Sequence, residues 1–289
     1  MGLPQTPGDL VRYDSKAHEF VPYLSGIWAG QLGFSKDGGW VAYLTFPENI
    51  LWRSKLDGSE GLQLTSPPMI AAFPRWSPDG KQIAFMAMAT DTSNWRVDLV
   101  SPDGGTPEQL RLGEGHQTDP DWSPDGNRLA FTTSEPHPSS SDIRMLDLRT
   151  HQASTLLGSK GLGWPRWSPD GRYIVAQKSG EDSLLMLFDS TTEAWAKLAS
   201  GWPPTSWSRD GKWVYFLKEG NGAILRVRVS DHSLETVVKN VPLASCVVGD
   251  FTYASVDLGP DDSPLILLGG KLGIHAVTRE IYALDWEAP

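Results

Sequence analysis

One pentapeptide recurs along most of the chain. Trp76-Ser-Pro-Asp-Gly80, Trp122-Ser-Pro-Asp-Gly126 and Trp167-Ser-Pro-Asp-Gly171 precede the apolar runs KQIAF, NRLAF and RYIVA. Trp207-Ser-Arg-Asp-Gly211 precedes KWVYF, Phe34-Ser-Lys-Asp-Gly38 precedes GWVAY, and a degenerate copy, Leu258-Gly-Pro-Asp-Asp262, precedes SPLIL. Counted between Asp37, Asp79, Asp125, Asp170, Asp210 and Asp261, the steps are 42, 46, 45, 40 and 51 residues. A period in the low forties matches a four-stranded propeller blade. Six copies therefore predict six blades.

Each residue of the motif has a local reason to recur. Proline presets φ at the second turn position, aspartate suits the third and glycine the fourth, as a type I turn prefers. The tryptophan ends the strand before the turn, and the run after it reads as the returning strand. Third strands follow at Arg96–Val100, Ile143–Asp147 and Ile224–Arg228, then short outer strands such as Glu108–Leu110 or Ser154–Leu156. No helical periodicity extends over ten residues. The expectation is an all-β chain, residues 1–289 forming a single six-bladed β-propeller of four-stranded blades after a lead segment, residues 1–9. Leu10–Asp14 and Glu19–Leu24 look like outer strands lacking inner partners, and Glu280–Asp285 is a candidate third strand at the other end. An N-terminal strand that completes the last blade would remove two sheet edges. Which strand seals the ring is open.

Composition narrows the function classes. Lysine plus arginine is 25 and aspartate plus glutamate 35, a net charge of −10, which argues against a partner bound through its phosphate backbone. No stretch approaches the length of a membrane span. Cys246 is the only cysteine, so no internal disulfide or multi-cysteine metal cluster forms. The start carries no visible signal peptide, and the expected location is the cytoplasm. A closed ring gives no reason to oligomerise, so a monomer is expected.

WSPDG followed by an apolar strand resembles the TolB-type propeller repeat, a relative of the WD-repeat family, over about residues 10–286. The resemblance implies the fold. Similar propellers serve in periplasmic TolB, as non-catalytic lids of prolyl-oligopeptidase-like and tricorn-like peptidases, and as C-terminal modules of large bacterial regulators. The start at a half-blade resembles the last of these, which makes the chain a candidate fragment of a longer regulator.

Standard catalytic signatures are absent: no G-x-S-x-G, H-E-x-x-H, P-loop, C-x-x-C or G-x-G-x-x-G occurs. The turn role of the motif aspartates suffices to explain them, and the motif tryptophans are expected to pack between blades. The innermost strands, just before each motif, are left to line a central channel. In register they offer Gln31, Phe73, Asp119, Trp164 and Ser255 at one level. Arg75, Asp121, Arg166, Ser206 and Asp257 follow two residues later, with His116 and Asp250 slightly upstream. Alternating arginine and aspartate predicts inter-blade ion pairs, or a polar pocket with aromatic walls.

Two main readings follow. In the first, the chain is a non-enzymatic recognition propeller that binds a peptide, a protein or a small ligand over Gln31, Phe73, Arg75, Asp119, Trp164, Arg166 and Asp257. In the second, by analogy of architecture alone, it is a metal-dependent hydrolase of esters, lactones or phosphotriesters. There Asp119, Asp121 and Asp257 hold a divalent cation, calcium first, and His116 and Asp121 are the catalytic candidates. A third reading is a peptidase gate detached from its catalytic domain.

Overall fold

The computed structural model describes residues 9–24, 29–89, 94–110, 112–113, 115–134, 141–178, 183–218, 222–239, 241, 245–248, 251–254 and 256–268. β1 (Asp9–Asp14) and β2 (Glu19–Pro22) open the chain. Blade one comprises β3 (Ala29–Phe34), β4 (Trp40–Thr45), β5 (Ile50–Lys55) and β6 (Leu62–Gln63). Blade two comprises β7 (Ile70–Trp76), β8 (Ile83–Met88), β9 (Arg96–Val100) and β10 (Glu108–Gln109). Blade three comprises β11 (His116–Trp122), β12 (Arg128–Ser134), β13 (Asp142–Asp147) and β14 (Gln152–Thr155). Blade four comprises β15 (Leu162–Trp167), β16 (Tyr173–Lys178), β17 (Leu184–Asp189) and β18 (Ala194–Ser200). Blade five comprises β19 (Trp202–Trp207), β20 (Trp213–Leu217), β21 (Ile224–Arg228) and β22 (Leu234–Val238). A separate hairpin, β23 (Ser245–Val248) with β24 (Phe251–Ala254), precedes β25 (Val256–Leu258) and β26 (Pro264–Leu268).

The sixth blade closes the ring. Its order is β2-β1-β26-β25, so both N-terminal strands join two late ones. β1 is the sealing strand, antiparallel to β26 with Val11 opposite Ile266, and β2 is the outer edge. The strand expected at Glu280–Asp285, the lead segment 1–8 and the positions of Asp250 and Ser255 lie outside the described residues. Among the described residues no helix is long and apolar enough to cross a membrane.

The core lies in the seams between blades. Every residue of β8 is buried, because both faces of each sheet are covered by neighbouring blades. Ile83 and Phe85 pack into the cluster shared with blade one, and Ala84 faces Leu129 and Phe131 of blade three. Val175, Leu185 and Leu187 of blade four meet Val214, Phe216 and Val227 of blade five.

The motif turns form as their residues require. Gly80 N–H donates to Ser77 O at 2.9 Å and Gly126 N–H to Ser123 O at 2.8 Å. The Ser77 hydroxyl donates to the Asp79 carboxylate at 2.7 Å and accepts from Gln82 N–H at 2.9 Å. Ser123, Ser168 and Ser208 repeat this arrangement. The serine hydroxyl holds each of Asp79, Asp125, Asp170 and Asp210 below the usual carboxylate range.

Candidate functional site: a funnel on the turn face

The innermost strands carry a shared irregularity. In β3, β7, β11 and β15 the register shifts between the residues flanking Gln31, Phe73, Asp119 and Trp164. These four residues have φ of 53°, 49°, 57° and 57°. Such a conformation is uncommon outside glycine and is an outlier for bulky side chains. The bulge turns the four side chains toward one another near the axis. The rings of Phe73 and Trp164, from blades two and four, meet across it at 5.0 Å and 86°. The Gln31 amide oxygen accepts from Phe73 N–H, and Trp164 N–H donates to the Thr132 hydroxyl at 3.1 Å. Gln31, Phe73 and Asp119 are buried. This level of the channel is a plug.

Above the plug, toward the turns, the channel widens into a funnel of about 530 Å³. Arg75, Asp121, Arg166 and Asp257 contribute to its floor; Trp76, Trp122, Trp167 and Trp207 to its walls; Pro78, Pro124, Pro169 and Pro260 to its rim. The motif tryptophans thus serve twice. Trp122 Nε1 donates to Arg75 O and Trp207 Nε1 to Arg166 O, each at 3.0 Å in the preceding blade, so the indoles bridge blades while they wall the funnel.

The floor is a cross-blade charge network. Arg75 Nε lies 3.8 Å from Asp121 Oδ1. Asp121 Oδ2 accepts from Trp167 N–H at 2.7 Å, and Asp257 Oδ2 from Leu32 N–H at 2.9 Å. Arg166 Nη1 donates to Pro165 O at 2.7 Å, while its Nε and Nη2 have no hydrogen-bond partner among the described residues. Burial pushes the carboxyls of Asp119, Asp121 and Asp257 up, against the pull of the arginines. Burial and then the Arg75 charge lower Arg166 to about 10.

The residues expected at the channel therefore separate into two levels. Arg75, Arg166 and Asp257 line the funnel with Asp121, whereas Gln31, Phe73, Asp119 and Trp164 form the plug beneath. His116 begins β11, about 15 Å along the strand from Asp121. It lies within hydrogen-bonding distance of Trp95 N–H (3.4 Å) through Nδ1.

The carboxylates of the floor and plug are engaged by other groups. Among the described residues no three His, Cys, Asp or Glu side chains are grouped to hold a metal. Asp121 and Asp257 each give an oxygen to a main-chain N–H, Asp119 Oδ2 accepts from the Thr118 hydroxyl at 2.8 Å, and two guanidinium groups share the space.

The inner-strand bulge and the walling role of the tryptophans are absent from the sequence reading. No glycine holds the left-handed position itself, and only Gln31 and Trp164 have glycines beside it (Gly30, Gly33 and Gly163); the more regular signal is the proline at Pro74, Pro120 and Pro165, next to three of the four residues.

Among solved structures, the chain is similar to a TolB-assigned protein of Agrobacterium tumefaciens, with TM-score 0.69 and 16% identity over 92% of this chain and 99% of that one. TolB of Acinetobacter baumannii gives 0.61 and 19%, over 91% and 77%. An oligogalacturonate lyase in complex with manganese gives 0.55 and 14%, over 83% and 77%. At these identities the likeness is one of fold, and that fold is the TolB-type β-propeller. No protein-family model and no curated protein sequence matches the chain.

Proposed function

We propose that the protein is a recognition propeller whose turn-face funnel holds a peptide segment of another protein. The observation that carries this reading is the funnel's lining: four indoles and four prolines above a floor of two arginines and two aspartates. Its volume of about 530 Å³ lies within the range of sites that bury a ligand. Indole walls offer apolar area at low entropic cost, and the floor offers donors and acceptors to a peptide backbone. The plug of Phe73 and Trp164 stops a ligand from threading the ring, so binding happens at one face. The TolB neighbours support a propeller used for protein binding. The floor carboxylates are committed to main-chain N–H groups and arginines, which favours recognition over metal-dependent hydrolysis.

The test is selection from a displayed random-peptide library, followed by titration of the enriched peptides against wild type and Trp207→Ala. Enriched peptides that bind the variant about tenfold more weakly support the funnel. No enrichment, or peptides indifferent to Trp207, would count against it.

A further inference from the structure

The repeat allows the six inter-blade seams to be compared position by position on the turn face. At four of them a prolyl ring lies over the turn glycine of the next blade. Pro78 covers Gly126 at 3.8 Å from the place of a glycine Cβ, Pro124 covers Gly171 at 3.6 Å, Pro169 covers Gly211 at 3.6 Å and Pro260 covers Gly38 at 3.3 Å. The fifth seam has neither residue and is closed by substitutes. Arg209 stands in the proline position and Asp262 in the glycine position; Arg209 N–H donates to the Asp262 carboxylate at 2.9 Å, and its guanidinium to Pro260 O at 2.6 Å.

The sixth seam is open. Lys36 stands in the proline position, exposed, and no atom lies within 4 Å of the place of a Gly80 Cβ. A cleft of about 550 Å³ lies here, with Trp40, Trp76 and Pro102 in its walls. Arg53 stacks over Trp40 at 4.4 Å and donates to Pro102 O at 2.8 Å, which fixes the outer wall. Ser35, Lys36, Trp76 and Pro78 line both this cleft and the funnel, so the cleft is a side arm of the funnel.

We propose that this seam is a docking slot for a proline of an extended peptide, whose ring takes the place over Gly80 that the neighbouring turns fill from their own chain. The proposal rests on the peptide reading of the funnel and gives the bound segment its chemistry and its exit path. The four covered glycines show what fits at this position. The lining carries three cations and three carboxylates, so its net charge favours neither an acidic nor a basic segment. A proline-rich segment is already extended in solution and loses little entropy on docking against tryptophan.

The probe is N-acetyl-hexaproline amide, titrated into the ¹⁵N-labelled full chain and read on the tryptophan indole N–H signals. Saturable shifts at Trp40 and Trp76 are expected. Lys36→Pro, which restores the consensus turn and covers Gly80, is expected to weaken them about tenfold, while Lys36→Ala, which leaves the slot open, is expected to preserve them. Pro124→Lys copies the open turn into blade three and is expected to bring Trp167 into the response, a gain that no misfolding imitates. Silent Trp40 and Trp76, undiminished binding by Lys36→Pro, or no response of Trp167 in Pro124→Lys would overturn the slot. Shifts confined to Trp207 would remove the slot and keep the funnel. Shifts at the seam, with no library peptide depending on Trp207, would keep the slot and remove the funnel.

Discussion

Asp119 and Asp170 are chemically identical side chains held in opposite surroundings. The Asp170 carboxylate is lowered first by the Ser168 hydroxyl, so its contribution to stability is present above the unfolded value and is lost as pH falls through the lowered one. Asp119 is raised by burial, and its Oδ1 has no hydrogen-bond partner among the described residues. Its folded state prefers the proton, so its contribution is fullest below the unfolded value near 3.9 and is lost as pH rises through the raised one. Asp119→Asn is therefore expected to melt above wild type at pH 7 and to lose that advantage near pH 4. Melting curves followed by circular dichroism across this range decide it, and a variant less stable at both pH values contradicts the burial argument. At Lys36 the surrounding turn is the one proline occupies in four other blades, so Lys36→Pro is expected to stabilise the fold by about 0.4–1 kcal/mol. Denaturant titration reads that change; destabilisation would mean that this turn departs from its repeats.

At the scale of the element, the turn is the part the sequence states most completely. Ser168 is fully buried, its hydroxyl donates to Asp170 and accepts from Tyr173 N–H, and Gly171 N–H closes the turn onto Ser168 O. Each partner lies within five residues, which is why Trp-Ser-Pro-Asp-Gly read alone gives the right turn. Ser168→Ala leaves a buried N–H without its acceptor and is expected to cost about 1–3 kcal/mol in urea denaturation. Ser263→Ala, at the exposed bond to Asp261 in the degenerate turn, is expected to cost less than this. Equal costs would show that the buried N–H is not the source. The inner strand was legible only in part. Counting back from the motif pointed to Arg75, Asp121, Arg166 and Asp257, four residues that line the funnel. The left-handed residue two positions deeper is imposed by bulged pairing, not by its own preference, since phenylalanine, tryptophan and glutamine all disfavour it. The plug is therefore a tertiary result that alternation along a single strand does not encode.

For the whole molecule, ring closure is the long-range pairing on which the other blades depend. β1 supplies the third strand of blade six, and Val11 and Tyr13 enter the cluster that joins it to Tyr215 and Leu217 of blade five. The need for an N-terminal strand was visible as two strands without inner partners. Its identity was not, because both chain ends offered an apolar candidate of similar length. Removing residues 1–22 leaves β26 with an open edge and is expected to abolish the single cooperative melting transition and produce aggregates on size-exclusion chromatography. A monomeric, cooperatively melting truncation would contradict the closure. The funnel belongs to this scale as well, since its floor draws one charged side chain from each of four blades, and no blade alone contains the site.

The tryptophans make that claim directly measurable, because they mark the radius of the disc from funnel to outer strands. Trp122 and Trp207 stand in the funnel, whereas Trp52 on β5 and Trp195 on β18 stand on outer strands. In a titration of the ¹⁵N-labelled protein with a library-selected peptide, the indole signals of Trp122 and Trp207 are expected to shift together and saturate, with Trp52 and Trp195 unmoved. A response at Trp52 or Trp195 with Trp122 and Trp207 silent would place recognition on the rim of the disc and contradict the funnel.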